Sequence, residues 1–211
     1  FPANAAFLTT RDGVFTDVAK NNASGESIQI LEFPDNILPK FLSAEIALGT
    51  GLVTLKFTEY VSTLAQNMNW TVGHGVTIAN VSGDSLLRLK RSYLTSADSN
   101  IQQFQLPEAL RIKAIENSDT SGGDKSVLVI DIDRGSLLDI GLNEINSTIG
   151  VPLTEKPDVI VPILTSASVN YSNGLVRLQF SEIVDKTPRS MVTLPNLLLL
   201  DVSQRFGGGK D

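Results

Sequence analysis

The sequence predicts an all-β fold arranged as tandem domains, and three observations support this prediction. Aromatic residues make up 6% and charged residues 19% of the 211 residues, whereas Val, Ile, Leu, Ser and Thr are plentiful. Apolar and polar residues alternate in several short runs, which is the pattern of strands that bury one face. A stretch of thirty-five residues also occurs twice, at a spacing that suits a complete domain.

The repeated stretch covers residues 34–68 and residues 157–191. Aligned without a gap, the two copies have the same residue at fourteen of thirty-five positions, and they lie 123 residues apart. This spacing is too long for a solenoid repeat and is typical of a whole domain. The chain is therefore interpreted as an array of similar domains.

The opening segment of the chain also has a counterpart. A shift of 122 residues aligns residues 5–22 with residues 127–144 and superimposes a glycine and a D-x-x-x-N motif. The predicted organisation is residues 1–33 as the closing strands of one domain, residues 34–156 as a complete domain, and residues 157–211 as the front part of another. The aligned pairs are Gly13 with Gly135, Asp17 with Asp139, and Asn21 with Asn143.

The repeated stretch has the pattern of a β-hairpin. Val53, Leu55 and Phe57 alternate with polar residues, which predicts a strand with one face in the core and the other in water. The strand before it alternates in the same way, and Gly51 in the connecting turn is expected to have a positive φ. The matching residues of the second copy are Val176, Leu178, Phe180 and Gly174.

Further strands are predicted between clusters of Gly, Asn, Asp and Ser. No amphipathic helix is predicted. Residues 100–115 are interpreted as a loop followed by a strand, because Pro107 interrupts any helical pattern there. The further predicted strands cover residues 71–79, 86–94, 110–115 and 127–132.

Charge and composition exclude several classes of partner. The formal net charge is −6 and there is no basic run, which argues against nucleic acid and against an anionic membrane surface. Cysteine is absent, so disulfides and thiolate metal sites are excluded. No apolar run approaches the length of a membrane span. Because the chain starts at Phe1 rather than Met, a processed or excerpted product is expected.

Short motifs at corresponding places resemble a known family. A Pro-Asp pair, then a strand ending in LKFTEYV or LQFSEIV, and later D-x-x-x-N, are similar to the tandem immunoglobulin-like repeats of bacterial and algal surface proteins and adhesins. That family typically has FSEPV early and DxAGN late. Here Tyr60 and Ile183 replace the proline, and Lys20 and Leu142 replace the glycine. The resemblance implies β-sandwich domains at the cell surface or outside the cell, used as structural spacers or adhesive modules.

The predicted split domain leaves apolar sheet faces uncovered at both ends of the chain. One explanation is that residues 1–33 of one subunit complete the partial domain of the next, which gives a head-to-tail homopolymer by strand complementation. The other is that the sequence is part of a longer tandem array, in which neighbouring sequence completes both parts. The residues alone leave both explanations open.

Two glutamates are the candidate metal ligands. Glu59 and Glu182 fall in phase with the buried positions of their strands. One interpretation is a calcium site at a domain junction, in which an Asp of the linker, such as Asp35 or Asp158, is a further ligand. The favoured interpretation is a carboxylate at the rim that accepts backbone N–H groups, because no dense Asp and Asn loop accompanies it. Asp17 and Asp139 suit turns that hydrogen-bond their own backbone. No metal site and no cofactor are predicted.

Two single residues have a functional and a structural interpretation. His74 is the only histidine and has no Ser or Cys nucleophile context, so it is interpreted as a turn residue. Trp70 is the only tryptophan and suits either sugar stacking or the core, and the core is favoured.

Five N-x-Ser/Thr sequons predict covalent N-glycans if a eukaryotic cell secretes the protein. The alternative is that some of them are ordinary turn asparagines. The sequon asparagines are Asn22, Asn69, Asn80, Asn146 and Asn170.

The sequence thus favours a non-enzymatic structural subunit of an extracellular, N-glycosylated filament made of immunoglobulin-like domains joined head to tail. The alternative is a binding module of a cell-surface adhesin that recognises glycan or a partner protein. An enzyme is the weakest interpretation, because one histidine, no cysteine and no positioned acid pair leave few chemistries.

Overall fold

The computed structural model describes residues 6–64, 75–81, 83–186 and 196–198, with 40% of these residues in strands and 8% in helices. The all-β class is therefore confirmed in its broad form. No helix within these ranges is long and apolar enough to cross a membrane. In chain order the elements are β1 (Phe7–Thr9), β2 (Ser27–Gln29), β3 (Phe41–Ala47), β4 (Leu52–Val61), β5 (Val76–Asn80), β6 (Ser85–Arg88), a 3-10 turn (Arg91–Tyr93), β7 (Ser99–Gln105), α1 (Glu108–Glu116), β8 (Leu128–Ile132), β9 (Thr148–Pro152), β10 (Thr154–Lys156), β11 (Leu164–Asn170) and β12 (Leu175–Phe180).

Residues 41–156 contribute two four-stranded sheets. One sheet has the order β10, β3, β4, β7 and the other has the order β6, β5, β8, β9. Neighbouring strands are antiparallel except β10 and β3, which run parallel. Side chains from both sheets form one hydrophobic core, to which β8 contributes the alternate residues Leu128, Ile130 and Ile132.

The alternation predicted for β4 is confirmed. Val53, Leu55 and Phe57 are buried, whereas Lys56 and Thr58 between and after them are exposed. Phe57 also packs edge-on against Phe41 of β3, with ring centroids 5.9 Å apart. A strand with one buried face fixes its register strongly, because a slip of one residue would turn the whole apolar set toward water.

The hairpin β11–β12 reproduces the geometry of the hairpin β3–β4. Ala167 pairs with Leu178, and 123 residues earlier Ala44 pairs with Leu55. In both hairpins the pairing register shifts two residues before this pair, as at a β-bulge. The turn glycines have nearly the same backbone, with φ of 73° at Gly51 and 69° at Gly174, as the turn chemistry predicts.

The D-x-x-x-N turns are also the same in both copies. The backbone N–H of Asn21 donates to Asp17 Oδ1 at 2.8 Å, and the backbone N–H of Asn143 donates to Asp139 Oδ1 at 2.8 Å. In each turn the residue before the asparagine has a positive φ, although it is not glycine: Lys20 at 72° and Leu142 at 69°. The predicted backbone-bonding turn is therefore confirmed at both places.

The prediction for residues 100–115 is wrong. These residues form strand β7 and then helix α1, in place of a loop followed by a strand. Pro107 precedes the first helical residue, where its missing N–H removes no helical hydrogen bond and its fixed φ suits the helix start. The apolar residues of α1 are not gathered on one face, so the sequence carries little helical periodicity.

Other predicted strands differ in their bounds. β6 ends at Arg88, and a 3-10 turn follows where the prediction of a strand over residues 86–94 continues. β5 begins at Val76, and residues 71–74 of the prediction over residues 71–79 lie outside the described residues. β8 agrees with the prediction over residues 127–132.

Candidate functional site

The two terminal segments expose apolar faces whose counterparts in residues 34–156 are buried. Leu8 of β1 is 60% exposed, whereas Ile130, which lies 122 residues later in β8, is fully buried. Tyr171 beside β11 is 88% exposed, whereas Leu48, which lies 123 residues earlier, is fully buried. The same kind of sequence is thus core in one copy and surface in the other.

Each terminal segment forms only a two-stranded sheet. Among the described residues, β1 pairs with β2 alone, and β11 pairs with β12 alone. A two-stranded sheet by itself is at best marginally stable in water. The inner face of β11–β12 forms an open apolar groove of about 630 Å³. Its lining includes Leu164, Val169, Val176, Leu178, Leu197 and Leu198.

A buried arginine joins helix α1 to the start of the second copy. The side chain of Arg111 is 4% exposed. It donates from Nη1 to Asp158 Oδ2 at 2.6 Å and from Nη2 to Glu182 Oε2 at 2.9 Å. Both carboxylates belong to the second copy of the repeated stretch, and they are the two acids that the sequence singled out there. The structure brings them together on one cation.

The remaining donors of Arg111 bind residues that precede the second copy. Nε and Nη2 donate to the two carboxylate oxygens of Glu108 at 2.7 and 2.8 Å, and Nη1 donates to the carbonyl oxygen of Leu48 at 3.0 Å. All five N–H groups of the guanidinium therefore have an acceptor. We call Arg111 with Glu108, Asp158 and Glu182 the guanidinium clasp.

The clasp changes the ionisation of its members. Hydrogen bonding to Arg111 holds the pKa of Glu108 below its usual range. The hydrogen bonds that Arg111 donates to Glu108, with those to Asp158 and Glu182, raise the pKa of Arg111 above its already high value despite its burial. Bidentate and charge-assisted bonds of this kind are the strong ones among protein hydrogen bonds.

The equivalent acids of the first copy lie beside a third carboxylate. Oxygens of Asp35, Glu59 and Asp139 all lie within 4.8 Å of one another, and we call these three residues the acidic cluster. Burial, followed by the neighbouring charges of Asp35 and Asp139, raises the pKa of Glu59, and Lys40 opposes this rise. The cluster concentrates negative charge at the start of the first copy.

Two acids of the cluster already accept local hydrogen bonds. Asp139 is buried, and its two oxygens accept the backbone N–H and the side-chain Nδ2 of Asn143. Asp35 Oδ1 accepts the N–H of Ile37 at 3.0 Å. A calcium ion takes six to eight oxygens, often from carboxylates that are free to bind bidentately. Asp35 and Asp139 therefore accept backbone N–H groups, whereas the sequence favoured this role for Glu59 and Glu182. Glu182 instead accepts a hydrogen bond from Arg111.

The sequon asparagines lie in different surroundings. Asn22, Asn146 and Asn170 are exposed. Asn80 is partly buried, and its Nδ2 donates to Asp84 Oδ2 at 3.1 Å. Asn69, together with Trp70 and His74, lies outside the described residues. N-glycosylation stays a prediction at all five positions.

Sequence reasoning did not identify Arg111 or Glu108. The available signal was the E-x-x-R spacing at residues 108–111, which places both side chains on one side of a helix. That signal depends on recognising the helix, whereas the sequence predicts a loop followed by a strand in this segment.

Comparison with known proteins gives no relative from which a role could be inferred: no family model, no curated protein and no solved structure matches the chain.

Proposed function

We propose that the protein is a structural subunit of an extracellular, N-glycosylated filament in which immunoglobulin-like β-sandwich domains join head to tail by strand complementation. The observation that supports this proposal is the exposed apolar face of each terminal segment, whose counterpart in residues 34–156 is core. An exposed sheet with unpaired edges is a template for pairing with another chain.

The two terminal segments correspond to complementary parts of one unit. The hairpin β11–β12 corresponds to β3–β4, and β1–β2 corresponds to β8–β9. In residues 34–156 these two strand pairs belong to different sheets and share one hydrophobic core. The segment of one copy therefore offers the apolar face that the segment of the next copy lacks.

The composite unit, formed by the C-terminal segment of one copy and the N-terminal segment of another, lacks the edge strand β7 and helix α1 of residues 34–156. Residues 89–122, which include β7 and α1, have no counterpart in either terminal segment. β7 lies at the edge of its sheet, so its place in the composite is an edge position. The contact joins the front of one copy to the tail of another, so it is heterologous and continues from copy to copy unless the rotation closes a ring.

The test compares two variants of adjacent residues in β1. Leu8→Asp places a charge where the counterpart Ile130 is fully buried, whereas Thr9→Asp introduces the residue already present at its counterpart, Asp131. After the intact mass has been verified, light scattering and electron microscopy follow assembly as the protein concentration rises. We expect long thin filaments for the unmodified protein and Thr9→Asp, and monomers for Leu8→Asp.

Three results would contradict the proposal. One is an unmodified protein of verified mass that stays monomeric at every concentration, and binding of glycans by such monomers would favour the adhesin alternative. Another is equal assembly of both variants. The third is a mature polypeptide whose additional sequence covers the two faces within one chain. Treatment with an N-glycosidase tests the glycans separately, and an unchanged gel mobility would remove them from the proposal.

A further inference from the structure

A short parallel strand closes one edge of β3. β10 pairs with β3 so that Thr154 lies opposite Glu45. Beyond this ladder the N–H of Leu48 donates to the carbonyl oxygen of Lys156 at 2.9 Å, and Lys156 Nζ donates to Glu45 Oε1 at 2.6 Å. Backbone and side-chain contacts therefore both hold β10 in this register.

The equivalent edge of β11 lacks such a strand. Residues 168–170 of β11 occupy the repeat positions of residues 45–47 of β3, because both hairpins pair in the same register. Among the described residues β11 pairs with β12 alone. An unpaired edge presents N–H and C=O groups that another strand can bind. β11 thus offers to a further strand the edge that β10 covers on β3.

The N-terminal segment continues past β2 in the way that the complete unit continues past β9. The N–H of Ile30 donates to the carbonyl oxygen of Ala6, and the N–H of Leu153 donates to the carbonyl oxygen of Leu128, both at 2.8 Å. The strand pairs that precede these bonds agree: Phe7 with Gln29, and Val129 with Pro152. Ile30 therefore corresponds to Leu153, yet Ile30 is exposed and Leu153 is buried in the core.

Residues 31–33 consequently correspond to β10. These residues are exposed, and they belong to no strand among the described residues. The chain thus has a copy of β10 without β3 beside it near one end, and a copy of β3 without β10 beside it near the other. The matched residues are Leu31 with Thr154, and Phe33 with Lys156, and a proline follows in both places.

We infer that residues 31–33 of one copy add to β11 of a neighbouring copy as a parallel edge strand, with Leu31 opposite Ser168. The inference rests on the proposed function, in which the terminal segments of two copies form one unit. It adds the identity of the strand that makes the edge contact, its direction and its register. Addition of an extended segment to an exposed sheet edge is a common mode of recognition between chains.

The direction and register follow from the single residue that separates β9 from β10. These two strands belong to different sheets, and Leu153 between them is part of the hydrophobic core. Ile30 occupies the same position in the N-terminal segment, so residues 31–33 leave β2 toward the other sheet of the composite unit. In this register the N–H of Tyr171 donates to the carbonyl oxygen of Phe33.

The test uses a pair of cysteines, because the natural chain has none. In the variant with Leu31→Cys and Ser168→Cys, the inferred pairing places the two Cα atoms about 4.8 Å apart, which a disulfide can span. Both natural residues are exposed, so the substitutions leave the core of the subunit unchanged. After mild oxidation, denaturing electrophoresis without reductant should show a ladder of covalent multimers, since each copy has one thiol for each neighbour.

Two control pairs report other arrangements of the same strands. Leu31→Cys with Asn170→Cys is a direct pair only if residues 31–33 run antiparallel to β11, and Leu31→Cys with Ala167→Cys is one only if the parallel register slips by one residue. We expect the pair with Ser168→Cys to crosslink about tenfold faster than either control. A mixture of the two single variants, Leu31→Cys and Ser168→Cys, should give mixed dimers, because the disulfide joins different chains.

Faster crosslinking of either control pair would overturn the inference, and so would a disulfide that closes within one chain. Electron microscopy of the reduced variants judges the proposed function separately. Filaments that crosslink only through a control pair, or through none of the three pairs, would refute the register and support the filament. Crosslinks between Leu31→Cys and Ser168→Cys of different copies in closed rings would support the register and refute the filament. Absence of both assembly and crosslinks would refute both.

Discussion

The Nη1 atom of Arg111 lies 2.6 Å from Oδ2 of Asp158, although the two residues are 47 positions apart in the chain. This contact joins the only α-helix of the described residues to the linker that begins the second copy. Because all the donors of Arg111 are used, the guanidinium is held by Glu108 and Leu48 on one side and by the two acids of the second copy on the other.

Replacing Arg111 by Met is expected to destabilise the protein by about 3 kcal/mol, because three carboxylates lose their shared cation. This figure is at the low end for a buried pair, since Glu108 is partly exposed. The free energy of unfolding from urea denaturation checks it. The matched control is Arg134→Met, which breaks the pair with Glu144 at 3.4 Å between exposed side chains and should cost less than about 1 kcal/mol. Equal losses for the two variants would contradict the role of Arg111.

Glu59 and Glu182 occupy the same position in the two copies of the repeat. Substitution by Gln is expected to change the stability of the protein in opposite directions at the two positions. The pKa of Glu59 is raised above its ordinary value of 4.5, first by burial and then by Asp35 and Asp139. Its ionisation therefore opposes folding. Stability linked to this group is complete below the unfolded pKa and is lost as the pH rises through the folded pKa.

The substitution Glu59→Gln is accordingly expected to raise the melting temperature at pH 7 and to leave it unchanged at pH 4. Glu182→Gln removes an acceptor of Arg111 and should lower the melting temperature at pH 7. Thermal unfolding at the two pH values distinguishes these outcomes. A loss of stability at pH 7 in both variants would show that Glu59 has a favourable partner in the folded chain.

Glycine at position 142 is expected to make the protein more stable than the natural leucine does. Its φ of 69° lies in the left-handed region, which costs a residue with a Cβ about 1 kcal/mol or more. Its side chain is exposed, so little packing is lost. Leu142→Gly should raise the free energy of unfolding by up to about 1 kcal/mol.

The control for this substitution is Ile140→Gly, at an exposed residue of the same turn that has no positive φ. It should destabilise by about 0.5 to 1 kcal/mol, because glycine gains freedom in the unfolded chain. Chemical denaturation measures both variants. Equal effects of the two substitutions would exclude backbone strain at Leu142.

Leu55 and Leu178 also occupy the same position in the two copies of the repeat. The loss of stability on substitution by Ala is expected to be large at Leu55, which lies in the core, and small at Leu178, which lies on the exposed face of β11–β12. Leu55 is fully buried, so Leu55→Ala should cost about 2 to 5 kcal/mol. Leu178 is partly exposed in the groove of β11–β12, so Leu178→Ala should change the stability of the monomer little.

Assembly provides the second readout for Leu178→Ala. If a neighbouring copy covers the groove, this variant should raise the protein concentration required for filaments, and light scattering measures that concentration. An unchanged threshold would show that Leu178 remains outside the contact between copies.

Local features of this fold could be predicted from the sequence because few adjacent residues encode them. The alternation in β4 fixes which side chains enter the core, and Gly51 supplies the turn conformation that other residues avoid. The D-x-x-x-N turns bond their own backbone, so Asp17 and Asp139 adopt the same geometry in different surroundings. Helix α1 was missed because Pro107 suits the start of a helix as well as its interruption.

The sequence by itself determined the repeat, the hairpins and the turns, since each depends on contacts between residues close together in the chain. Only the tertiary structure decided which cation the acids at Asp158 and Glu182 accept. Arg111 lies 47 and 71 positions away from them, and no local pattern specifies which distant side chain the packing of α1 brings to that point. The two partly buried carboxylates of Asp158 and Glu182 require a cation for electrostatic reasons, and the fold supplies it through the position of helix α1.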